Sequence, residues 1–172
     1  MDIQLNQETL VSGGSAVIAL CALFATVWQA YVTRRHNKLS VTPFLTTWIH
    51  SDGKNGEYAV DLVNNGVGPA LIESVQIFVD GRECHGQSTQ PAEMAVDLLF
   101  NDYEHESTHA YVAKGYMMPT KERVPIARIC FTGQKKPPPD AIDAALKRSK
   151  ILVKYKSIYN ESKIFDSDKD YQ

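Results

Sequence analysis

His105-Glu106-Ser107-Thr108-His109 spells HExxH. On a helix, histidines four apart face the same way and can hold zinc, while the glutamate between them activates a bound water for hydrolysis. Such a centre needs a third ligand, and Glu122 is the nearby acidic candidate. A helix starting near Pro91 and running on unbroken would put Leu98, His105, His109 and Val112 on one face. The local sequence opposes it: Asn101-Asp102 reads as a stop, Ser107 and Thr108 are mediocre helix formers, and His109 to Val112 reads as a strand start. A chance match is therefore expected, with no catalytic residue, no metal and no cofactor. The rival reading is a membrane-tethered zinc-dependent hydrolase, with Glu106 as its base and His105, His109 and Glu122 as ligands.

Other patterns offer less chemistry. Gly66-Val67-Gly68-Pro69 lacks the third glycine, the lysine and the following helix of a phosphate-cradling loop, and reads as a turn between strands. Lys135-Lys136 followed by Pro137-Pro138-Pro139 could serve as a short polyproline ligand, but a helix lead-in accounts for it. Lys147, Arg148, Lys150, Lys154 and Lys156 cluster along the sequence. On a strand, Lys154 and Lys156 would project together, opposite Val153 and Tyr155, which makes them the ligand-binding candidates for an anionic small molecule or lipid headgroups. The three cysteines form no CxxC and no pair with histidine at ligand spacing. With 18 basic and 20 acidic residues, no global field draws in nucleic acid, and no nucleic-acid polymer is expected as a partner.

The elements that would carry these residues begin with an anchor. Leu10 to Val32 has no formal charge over about two dozen residues, or roughly 34 Å of helix, enough for a hydrocarbon core of about 30 Å. Trp28 and Tyr31 lie at its C-terminal end, where amphipathic rings prefer the headgroup layer. Arg34, Arg35 and Lys38 follow, whereas the preceding residues contain Asp2 and Glu8 but no Lys or Arg. The positive-inside rule then places the N-terminus outside and the rest in the cytoplasm. A cleaved signal peptide would carry its basic residues on the other side. Ser12, Ser15, Ala19, Ala22 and Thr26 recur at helical spacing, a small-residue face of the kind through which membrane helices associate. The expected organisation is a short extracytoplasmic tail (1–9), a transmembrane helix (10–33), a basic juxtamembrane linker (34–43) and a cytoplasmic domain (44–172).

In that domain strand signals dominate. Val41 to Ile49 is β-rich, and Ser51-Asp52-Gly53 with Asn55-Gly56 marks a turn. Tyr58 to Val63 alternates, and Asn64 to Pro69 breaks it. Val75, Ile77 and Val79 lead into an Asp80-Gly81 hairpin and a strand from Arg82 to His85. Ile151 to Lys156 and Lys163 to Asp166 flank a turn at Asn160-Glu161. One short helix from Pro91 to Phe100 should bury Met94, Ala95, Leu98 and Leu99. A second, led in by the prolines, should bury Ile142, Ala145 and Leu146. The fold class expected is mainly β: a transmembrane helix followed by an antiparallel, immunoglobulin-like β-sandwich with two short helices.

Two stretches, Arg34 to Pro43 and Asn64-Asn65-Gly66-Val67-Gly68-Pro69-Ala70, resemble a loose group of functionally uncharacterised small bacterial single-pass membrane proteins. Met118-Pro119-Thr120-Lys121-Glu122 is similar to the Pro-Gly-Glu turns of such sandwiches, with Thr120 where Gly is usual. The resemblance implies a fold and no catalytic residue. The function expected is a non-enzymatic, membrane-anchored binding or effector module at the bacterial inner membrane, with a homo-oligomer or another membrane protein as partner. An oligomerising membrane effector of a bacterial defence system is one form of it. Beside the hydrolase stands a third reading, a scaffold or assembly subunit of a membrane complex.

Overall fold

The first element is one α-helix, α1 (Asp2–Ser40), which continues past both ends of the expected span. Polar residues inside it cause no break. The hydroxyls of Ser15 and Thr26 donate back to the carbonyls of Val11 and Ala22, each at 2.8 Å. The segment expected as a linker carries on as helix to Ser40, whose Oγ donates to the His36 carbonyl at 2.8 Å. Pro43 sets the limit, because the residue ahead of a proline is pushed out of helical backbone. From Thr9 to Ser40 the helix is long and apolar enough to cross a membrane, and its most apolar stretch is not buried against protein. This computed structural model describes residues 2–52 and 55–170, so the Gly53 part of the expected turn lies outside the described residues.

A second unit begins at Val41. Its elements are β1 (Leu45–Asp52), β2 (Glu57–Asn64), β3 (Ala70–Val79), β4 (Arg82–Glu83), α2 (Gln90–Phe100) and β5 (His105–Thr108). After them come β6 (Met117–Met118), β7 (Arg123–Phe131), α3 (Pro139–Arg148), β8 (Ser149–Lys156), β9 (Ser162–Asp166) and α4 (Ser167–Asp170). One antiparallel sheet runs β1-β2-β7-β5. The other runs β4-β3-β8-β9, with β6 added to β3. The architecture is thus mixed helix and sheet: two antiparallel sheets follow an apolar helix, and the expected mainly β class holds in part. The turn α4 was not foreseen, the Arg82 strand stops at Glu83, and His109 to Val112 is loop.

Both sheets feed one buried cluster, to which Leu45, Leu62, Ile72, Met118 and Val153 contribute. A second cluster joins Tyr58, Ile129 and Phe131 to Phe100 of α2 and Ala145 of α3. Phe100 and Phe131 meet edge to face there at 5.2 Å. The buried stripe of α2 is Ala92, Ala95, Val96 and Phe100, while Met94 and Leu98 are exposed. The expected stripe was therefore rotated by about one position, because the small Ala92 and Ala95 let the helix lie close on the sheet.

Asn64 explains why the Asn-Asn-Gly-Val-Gly-Pro stretch has its sequence. Its side chain is fully buried. Its Nδ2 donates to the carbonyls of Gly68, Met118 and Pro119 at 2.9, 3.2 and 3.2 Å. Its Oδ1 accepts from the amides of Gly66 and Phe44 at 3.0 and 3.3 Å. A Cβ on Gly66 would strike Pro43 and Phe44, and one on Gly68 would strike Val41. Glycine is needed at both for this close approach. The last three residues of the first resembling stretch, Val41 to Pro43, therefore pack on the second.

Candidate functional site

The HExxH residues lie on β5 and just past it, so the helical geometry that a zinc pair requires is not formed. On a strand, side chains alternate between faces, and His105 and His109 point away from Glu106. The Nδ1–H of His105 donates to the Tyr103 carbonyl at 2.9 Å, its Nε2 lies 3.4 Å from an Asp97 carboxylate oxygen, and the ring packs on Phe131. The Nδ1–H of His109 donates to the Ile126 carbonyl at 3.2 Å, leaving Nε2 to accept from the Ser107 hydroxyl at 3.0 Å. Glu122 takes a bond from the Tyr116 hydroxyl at 2.7 Å, which holds that phenol's pKa above its usual value. Among the described residues no group of three or more His, Cys, Asp or Glu is placed to hold a metal ion.

The basic run near the C-terminus is largely neutralised. Lys156 pairs with Glu73 at 2.6 Å, the residue that the bulge in the β3–β8 ladder leaves out of register. Lys154 and Lys156 thus do not stand as two free cations; Lys154 alone is exposed. Lys150 reaches Asp166 at 2.9 Å and Asp168 at 3.3 Å, and its pKa is raised chiefly by the Asp166 bond. Arg148 grips Asp80 with two bonds of 2.9 and 2.7 Å, lowering the carboxyl's pKa through that hydrogen bond first. This clamp steadies the Asp80-Gly81 hairpin, where both residues have positive φ (51° and 75°), as a two-residue turn between twisted strands requires.

The outer face of the β1-β2-β7-β5 sheet carries a constellation that motif reading missed. A groove of about 510 Å³ lies there. Its central rung runs His50, Ala59, Arg128, Thr108, one residue from each strand. Ala59, the smallest of the four, leaves the depression. On one side, Glu57 and Glu106 flank Cys130; on the other, Trp48 pairs with Asp61. Arg123 stacks over the Trp48 ring at 5.0 Å. Arg128 is exposed. Asp61 Oδ1 is buried with no hydrogen-bond partner, an arrangement that costs free energy until a donor arrives. The groove can take a ligand that presents an anionic acceptor to Arg128 and a donor to Asp61. Alternation would have revealed these side chains as one polar face, but not that they surround a hollow.

On α1, Ser15, Ala19, Ala22 and Thr26 are exposed on one face, with both hydroxyls satisfied inside the helix. Arg34, Arg35 and Lys38 follow in the same helix. No protein-family model matches the chain, and no curated protein matches it.

Proposed function

We propose that this chain is a single-pass, membrane-anchored binding module without enzymatic activity. Its helix spans the plasma membrane with the N-terminus outside, and its β domain presents the Arg128 groove to the cytoplasm. The observation that carries this reading is the helix from Thr9 to Ser40, whose most apolar stretch has no protein cover. Leu10, Ile18, Phe24 and Trp28 are each more than two thirds exposed, and such a surface is stable only in lipid or against another chain. Arg34, Arg35 and Lys38 support the orientation. The orders β1-β2-β7-β5 and β4-β3-β8-β9 correspond to the ABED and C′CFG strands of immunoglobulin-type sandwiches, scaffolds suited to binding. The commitment of both histidines to local partners supports a non-catalytic role.

Cys130 offers a native reporter for the test, since it is exposed and lines the groove. Cys84 is buried, and that burial, with Glu83 beside it, raises its thiol pKa and slows its reaction. A membrane-impermeant maleimide should label Cys130 in inverted vesicles and not in intact cells, and the protein should resist alkaline carbonate extraction. Release by carbonate would remove the anchor; labelling in intact cells would reverse the orientation.

A further inference from the structure

The β domain has two ends, and their loops differ in chemistry. At one end lie the stretch from Val41 to Phe44, the β2–β3 loop, the turn before β7 and the β8–β9 turn. Asn64 ties the first three together, and the pairing of Leu71 with Lys156 brings the fourth alongside. Large apolar side chains stand out from this end: Phe44 is 55% exposed, Val67 64%, Ile158 52% and Tyr159 43%. At the other end the turns present Asn55-Gly56, Asp80-Gly81 and Gln134-Lys135-Lys136, all polar or charged.

These apolar tips are held out by a satisfied backbone. The Val67 amide donates to the Thr42 carbonyl at 3.1 Å, and the Phe44 carbonyl accepts from Asn65 at 2.8 Å. The Tyr159 amide donates to Ser157 Oγ at 3.2 Å. Four such side chains on three separate loops are not needed for any local hydrogen bond. Their shared property is the end on which they stand, the one where the chain enters from Ser40.

We propose that this end of the β domain seats in the headgroup layer of the membrane, with Phe44, Val67, Ile158 and Tyr159 dipping among the lipids. The proposal rests on the membrane-anchored reading above. From Arg34 to Ser40 the helix extends about 10 Å, comparable with one headgroup layer, so Val41 emerges at the lipid surface. Apolar side chains and the amphipathic tyrosine ring gain there what water denies them.

The test uses the full chain in phosphatidylethanolamine vesicles with a minor share of phosphatidylglycerol. Cys21 and Cys130 are changed to Ser, and single reporters are introduced by Val67→Cys, Ile158→Cys and, at the far end, Asn55→Cys. Each is labelled with a polarity-sensitive fluorophore and challenged with lipids spin-labelled near the headgroup. Blue-shifted emission and severalfold stronger lipid quenching are expected at 67 and 158 than at 55. Equal quenching at all three in carbonate-resistant protein overturns the seating while the anchor stands. A blue shift at 67 and 158 without lipid quenching overturns it too, since protein and not lipid then covers this end. Protein released by carbonate sinks the anchor, and the seating with it.

Discussion

Asn64 makes five hydrogen bonds from one buried amide, and its partners come from three stretches of chain. Asn64→Ala strands carbonyls and amides away from water, and should cost about 2–4 kcal/mol in chemical denaturation of the detergent-solubilised chain. A loss below about 0.5 kcal/mol would show that water replaces the side chain at that junction. The break at Asn64-Asn65-Gly66 was legible in the sequence because such residues favour turns. The hub was not, since Met118 and Pro119 are 54 and 55 residues away. Acid stability is also set residue by residue. Asp80 is held low by Arg148. Asp166 feels burial most, which raises it, yet the Lys150 bond, the Asp168 amide and nearby lysine charge bring the net shift down. A depressed folded pKa gives stability above the ordinary carboxylate value, near pH 4, and this is lost as pH falls through the folded value. Asp80→Asn and Asp166→Asn should therefore flatten the fall of the thermal midpoint on the acid side of about pH 5, with little change in slope near neutrality. An unchanged acid limb in both variants would mean the pairs persist in the unfolded chain.

Helices and strands responded differently to sequence reading. The Asp80-Gly81 hairpin and the start and stop of α2 could be read locally, because turn chemistry and proline act over a few residues. The face α2 buries could not, as it depends on Ala92 and Ala95 allowing close approach to strands far along the chain. HExxH failed as a helix for the reason its residues suggest, and β5 forms because it pairs with β7 from His105 to Thr108. For α1, the small residues at 15, 19, 22 and 26 define a face from which Cys21 lies about 130° around the helix. If two copies pack through that face, Ala22→Cys in a Cys21→Ser background should cross-link on mild oxidation in membranes severalfold more than native Cys21 does. Equal yields from the two positions would count against packing by this face.

At the scale of the whole chain, the apolar helix was plain from composition, since a run without charge needs no partner residue to identify it. The groove was not. His50, Ala59, Arg128 and Thr108 come from four strands, and only the register of three ladders sets them on one rung. Sheet order had to be known before Arg128 could be seen facing a hollow and not open solvent. The stitch between Val41–Phe44 and the β2–β3 loop also has a mechanical consequence. Any tension along the chain at Ser40 reaches the domain through Thr42, Phe44 and the Asn64 side chain before it loads β1. The bonds Val67 to Thr42, Asn65 to Phe44 and Phe44 to Asn64 act as a strain relief, like the clamp on a cable where it enters its housing. A pull on the chain where it enters the domain is met by these three bonds before it can peel the first strand away from its sheet.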